Sequence, residues 1–232
     1  MRVIRGKGSP RRSSRKLLVL SLALPLAVMG SASAGDFSPK MEFGLDPAKV
    51  KSNPEMSILV EQDAGEEELG HVTLKVPKGF KLPTDGKIDN GDMIGSADLE
   101  IGAGPGCAGA GPVTAPATFP MRNIVEQDRT DEQADRGVKA VWVVDLQPVT
   151  TIPLEITGSP KKGYKLDGDI PANQFTCPAL VFDATIFSET GTGGVPIMTT
   201  PKKPGKYTFS GTFSSQDSPT VKTIKQKIKI KK

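Results

Sequence analysis

Histidine is almost missing from this 232-residue chain, which holds one, His71, together with two cysteines, one tryptophan and two tyrosines. Each scarcity removes a class of chemistry. A Ser-His-Asp or Cys-His site would have to run through His71, whose chain neighbours are Gly70 and Val72, and no Gly-x-Ser-x-Gly elbow occurs. His71 therefore reads as an ordinary surface or half-buried strand residue. One histidine and two cysteines cannot assemble the usual nitrogen and sulfur set for zinc. So little Trp and Tyr leaves poor material for a platform on which sugars would stack. Acid is missing too: no Asp or Glu precedes Asp36.

That acid-free start carries seven cations between Arg2 and Lys16, then a 14-residue apolar run over 17–30, then Ala32-Ser33-Ala34. Basic stretch, apolar stretch and small residues in this order predict a secretory signal peptide cleaved after Ala34. The run is shorter than the roughly 20 residues a spanning helix needs, so no stable span is expected after cleavage. No cysteine follows it for lipid attachment. Arg11-Arg12 raises the twin-arginine route, but Ser13, Ser14 and Arg15 follow where that motif wants apolar residues, which favours general secretion.

Removing the signal changes the electrostatics. The whole chain is formally +4; without residues 1–34 it has 23 Lys and Arg against 26 Asp and Glu, a formal −3. Nucleic-acid binding is therefore not expected. In an exported protein, Cys107 and Cys177 most simply form one disulfide. Its loop of about 70 residues would be worth on the order of 4 kcal/mol in the chain-entropy model.

What remains is rich in Gly and Pro, and alternates with period two. After an extended segment over 35–55, strands are predicted at 57–62, 69–76, 94–101, 118–126, 138–146, 151–157 and 180–188. Two more carry Tyr207, Phe209 and Phe213, and then Ile224, Gln226, Ile228 and Ile230. About ten short strands in residues 56–232 predict an all-β, antiparallel, immunoglobulin-like β-sandwich behind an N-terminal signal helix, with a closed barrel as the alternative. The region is either one large domain or two lobes divided near 158–163.

The run Val72-Thr73-Leu74-Lys75-Val76-Pro77-Lys78-Gly79-Phe80 resembles the strand and Pro-x-Gly-Phe opening of secreted immunoglobulin-like β-sandwich proteins of actinobacteria. Gly163-Tyr164-Lys165-Leu166 and Pro204-Gly205-Lys206-Tyr207-Thr208-Phe209 are similar to later segments of that group. The resemblance implies a secreted β-sandwich and brings no catalytic residues with it.

Carboxylates are the remaining chemical resource. Asp85, Asp89 and Asp92 are calcium candidates, although an EF-hand loop would want glycine at Asn90 and glutamate at Ser96. A turn needs the same residue types. Glu126, Asp128, Asp131, Glu132 and Asp135, interleaved with Arg129 and Arg136, suit an exposed loop or single helical turn laced with local ion pairs, or less simply a carboxylate hydrolase. The stretch 102–107 lacks the Gly-Lys-Ser/Thr ending of a phosphate loop and reads as a flexible connection. Trp142, between Val141 and Val143, is expected in the core. Lys225, Lys227, Lys229 and Lys231 line one face of the last strand, where they can guard an edge or meet an anionic partner.

The expected function is that of a secreted, non-enzymatic structural or adhesive protein of the cell surface or extracellular space. It needs no cofactor and no metal; the sequence does not identify its partner, for which a cell-envelope polymer and another extracellular protein are the candidates. The alternatives are a binding module for a small apolar or anionic ligand, and a carboxylate-based hydrolase.

Overall fold

The computed structural model describes residues 36–63, 66–84, 88–89, 91–101, 117–124, 130–146, 150–171, 180–191 and 193–232. They belong to one compact unit, Ala34–Lys232. Residues 1–35, among them the expected signal, together with Cys107, Cys177, Asp85, Glu126, Asp128, Arg129 and the stretch 102–107, lie outside the described residues.

Among the described residues, eleven strands and one short helix follow in chain order: β1 (Lys40–Asp46), β2 (Glu55–Gln62), β3 (Leu69–Val76), β4 (Met93–Ile101), β5 (Ala117–Ile124), α1 (Asp131–Asp135), β6 (Ala140–Leu146), β7 (Thr150–Ser159), β8 (Gly163–Asp169), β9 (Leu180–Ile186), β10 (Gly205–Ser215) and β11 (Val221–Ile230). All neighbours pair antiparallel, in the order β1-β2-β9-β4-β5-β6-β7-β8-β3-β10-β11. One wall is β1-β2-β9-β4 and the other is β6-β7-β8-β3-β10-β11, with β5 pairing to both. The architecture is all-β and sandwich-like.

Two strands add to the sequence expectation. Residues 40–46 lie in the segment read as an extended lead-in, yet Met41 and Phe43 are buried while Lys40 and Glu42 are exposed. That alternation lets β1 pair with β2 over its whole length, Lys40 to Glu61 through Asp46 to Glu55. In β8, Tyr164, Leu166 and Gly168 point inward and Lys165, Asp167 and Asp169 outward. The turn at 160–162 joins β7 to β8, which are neighbours in the sheet.

The inward faces of both walls meet in a single core. Phe209 packs against Phe43 and Phe80 at ring-centroid distances of 5.3 and 5.1 Å, and Tyr207 meets Phe80 edge-on at 5.5 Å. Gly79 makes the turn that delivers Phe80: its φ is +98°, a conformation glycine adopts without steric penalty, and its N–H donates to Pro160 O at 2.8 Å. Trp142 is fully buried, and its indole Nε1 has no hydrogen-bond partner among the described residues.

The two ends of the strand order come together. Phe43 N–H donates to Gln226 Oε1 at 2.6 Å, and Gln226 Nε2 donates to Phe43 O at 2.8 Å. Beyond them, Val50 N–H donates to Lys231 O and Lys231 N–H to Ala48 O. A glutamine side chain thus takes the place of a ladder rung between β1 and β11.

Candidate functional site

The outward face of the six-strand wall carries the densest polar chemistry. On β3 and β8 the pleat turns His71, Thr73, Asp167 and Asp169 to the same side, with His71 opposite Asp169 and Thr73 opposite Asp167. His71 Nδ1 lies 2.6 Å from Asp169 Oδ1, and Nε2 lies 3.2 Å from Asp167 Oδ1. Thr73 Oγ1 donates to Asp167 Oδ1 at 2.5 Å and sits 3.3 Å from His71 Nε2. Lys165 Nζ reaches the same Asp167 oxygen at 2.8 Å.

Hydroxyl, imidazole and carboxylate thus stand in the sequence of a nucleophile, base and orienting acid. The details work against that chemistry. The Thr73 proton already goes to a carboxylate. Strand β3 lies between β8 and β10, so its backbone N–H groups serve the ladder and cannot form an oxyanion hole beside Thr73. Burial tends to raise the Asp167 pKa, but hydrogen bonds from Lys165, Thr73 and His71 prevail and hold it below the usual carboxylate range.

Glu155, the cross-strand partner of Asp167, is treated similarly. Arg136 grips it through both guanidinium nitrogens, at 2.8 and 2.9 Å, and Gln133 Nε2 donates at 2.9 Å. The Arg136 hydrogen bond, against some opposition from burial, holds the Glu155 carboxyl below its ordinary value. Both neighbouring carboxylates are therefore ionised at neutral pH. Glycoside hydrolysis requires one of two carboxyls to be held protonated, and this pair does not provide it.

The sequence candidates fall into place separately. Asp92 N–H donates to Asp89 O at 3.2 Å and Gly91 has a φ of +80°, which makes this segment a turn. Among the described residues, no three His, Cys, Asp or Glu side chains are grouped to hold a metal. Asp131, Glu132 and Asp135 lie exposed on α1, a single helical turn closed by a capping box between Thr130 and Gln133. Arg136 departs from the expected local ion pairing: it reaches Glu155 on β7, because the short helix ends beside that strand's outer face.

Lysines dominate the other half of the same face. Lys165, Lys75, Ser210 and Lys225 stand in one cross-strand row, Thr208 faces Lys227, and Lys206 faces Lys229. Lys75, Lys206, Lys225, Lys227 and Lys229 are all exposed, and no outward carboxylate stands on β3, β10 or β11. Lys231 follows at the strand end, exposed, with its backbone tied to Ala48 and Val50. The outward face of the four-strand wall has the opposite sign, with Glu42, Asp46, Glu55, Glu61, Asp98 and Asp183 against Lys40. The formal −3 of residues 35–232 thus conceals a segregated distribution.

Sequence reasoning missed the partners of His71, because they stand on β8, a strand it did not identify. The alternation of Lys165, Asp167 and Asp169 with Tyr164 and Leu166 was the available signal. The additional lysines, Lys75 and Lys206, join the terminal row only through strand pairing. No protein-family model matches the chain, and no curated protein matches it. No helix among the described residues is long and apolar enough to cross a membrane.

Proposed function

We propose that the chain is an exported, non-enzymatic protein of the bacterial cell surface or extracellular space that works by adhesion, with the lysine face of β3, β10 and β11 docking on an anionic envelope polymer. The observation that carries this reading is the cluster of Lys75, Lys206, Lys225, Lys227 and Lys229 on a face without carboxylates on the same three strands. Alternate strand residues stand about 7 Å apart and neighbouring strands about 4.8 Å apart. Adjacent lysines are thus within one Debye length at 0.1 M salt, about 10 Å, and act on a polyanion together. A flat row of flexible ammonium groups suits a repeating phosphate or carboxylate polymer better than one small anion.

Export rests on the signal pattern of residues 1–34, with cleavage after Ala34 and a Cys107–Cys177 disulfide in the mature protein. The immunoglobulin-like assignment and the kinship with secreted actinobacterial proteins belong to the same reading. The two apolar inner faces are in keeping with it. The hydrolase alternative is weakened by the ionised state of Glu155 and Asp167.

Retention on polyphosphate beads and on isolated bacterial cell walls tests the proposal. Wild type should bind at about 50 mM salt and elute by about 0.5 M, as the Debye length shrinks. The triple variant Lys225→Gln, Lys227→Gln, Lys229→Gln should bind at least tenfold more weakly with an unchanged fold. Retention that ignores both salt and these substitutions refutes the lysine face as the docking surface.

A further inference from the structure

The space between the walls is not completely filled. A cavity of about 90 Å³ lies among Val60 and Phe182 of the four-strand wall and Leu74, Val144, Leu154 and Phe213 of the six-strand wall. Its lining among the described residues is apolar throughout. Phe182 and four further lining residues, Val72, Ile152, Ile170 and Leu180, are only half-buried, so the apolar space is partly open to solvent among them.

We infer that this cavity binds the end of one unbranched alkyl chain. Three observations fix that class. The described lining residues offer no hydrogen-bond partner, so whatever enters among them must carry none to lose. A dry protein cavity of about 150 Å³ admits a benzene ring, and one of about 90 Å³ suits a slender chain better than a ring. Scaled from that reference, six carbons in about 150 Å³, it holds roughly three carbons. The half-buried residues then give the rest of the chain an apolar track toward solvent. Protein interiors normally leave few voids larger than a water, so an alkyl end would supply contacts that the fold leaves unmade.

The site is independent of the lysine face, and this separates its test from that of the adhesive function. Methyl-labelled protein is titrated with straight-chain alcohols from ethanol to hexanol, following the methyl signals of Val144 and Leu154. Affinity should rise about fourfold for each of the first three or so carbons, the gain expected for burying a methylene, and less steeply thereafter. It should be insensitive to salt. Val72→Phe, which narrows the outer path, should weaken binding at least tenfold. Val144→Leu, which removes about one carbon's worth of space, should weaken it about fourfold and covers the case in which Val72→Phe does not fold. Neutral phosphatidylcholine vesicles distinguish the two sources of a chain. Co-sedimentation of wild type but not Val72→Phe assigns it to membrane lipid, and alcohol binding without co-sedimentation assigns it to a free amphiphile. Absent methyl shifts, no dependence on chain length, or binding that survives both substitutions would overturn the inference.

Discussion

Replacing Gln226 tests how the two ends of the sheet are joined. Its amide accepts from Phe43 N–H at 2.6 Å and donates to Phe43 O at 2.8 Å, across 183 residues of sequence. Gln226→Ala leaves both backbone groups without these partners. Each costs about 1–3 kcal/mol if it stays unsatisfied and about 0.5–1.5 kcal/mol if water replaces the bond. Gln226 is half-buried, so water reaches part of the site. An expected loss of about 2–4 kcal/mol follows from the two bonds together. That is a large share of the 5–15 kcal/mol typical of a folded domain. With a urea m-value of about 2 kcal/mol/M, the unfolding midpoint should fall by roughly 1–2 M. Gln226→Leu keeps most of the volume but neither bond, and should be similarly destabilised. Lys227→Gln, next in sequence and facing solvent, should stay within about 0.5 kcal/mol of wild type. Hydrogen exchange at the Phe43 amide should accelerate in both Gln226 variants. A loss under about 0.5 kcal/mol in Gln226→Ala, or a Gln226→Leu protein as stable as wild type, would refute the closing role of the side chain.

Two further outcomes follow from individual side chains. Trp142→Phe should cost clearly less than truncation to Ala, about 3–5 kcal/mol, because it keeps most of the packing and removes an indole N–H with no partner among the described residues; a loss as large as that of Trp142→Ala in thermal or urea unfolding would refute this. Asp167→Asn should be less stable than wild type at neutral pH by about 1 kcal/mol, the scale of a partly exposed pair. Since the Asp167 pKa is lowered on folding, its contribution is complete above the ordinary Asp value near 3.9 and disappears as the pH falls through the folded value, so the two stability curves should converge below about pH 4. A gap that stays constant to pH 2 would exclude this origin.

Much of the strand framework was legible. Strand β3 falls on the residues expected for it, and in β11 the Lys225, Lys227, Lys229 row faces solvent opposite the half-buried Ile224 and Ile228. Strand β1 escapes the sequence reading, which assigns it to the extended segment over 35–55: Met41, Phe43 and Leu45 do alternate with Lys40, Glu42 and Gly44, but the pattern is short and stands in a polar neighbourhood. β8 was harder to recognise, because Gly168, Asp167 and Asp169 are poor strand formers and resemble a turn. Its place is set by β3 and β7 on either side, through pairing that outweighs local preference. Gln226 stood out as a polar residue in a row of isoleucines, and nothing nearby in the chain accounts for it.

What the chain determines by itself is which side of each strand faces inward, because pleat alternation is a local property of consecutive residues. It also carries the sign of every charge, and so the basic character of residues 1–34 and the acidic balance of the remainder. Which strands become neighbours is settled only on folding, when burial of both inner faces selects one register among many that satisfy the same alternation. That selection gives His71 its two carboxylates 96 and 98 residues away and gathers Lys75 and Lys206 beside the terminal lysines. It also leaves an apolar space between the walls, because the volume enclosed by two packed faces depends on both of them at once.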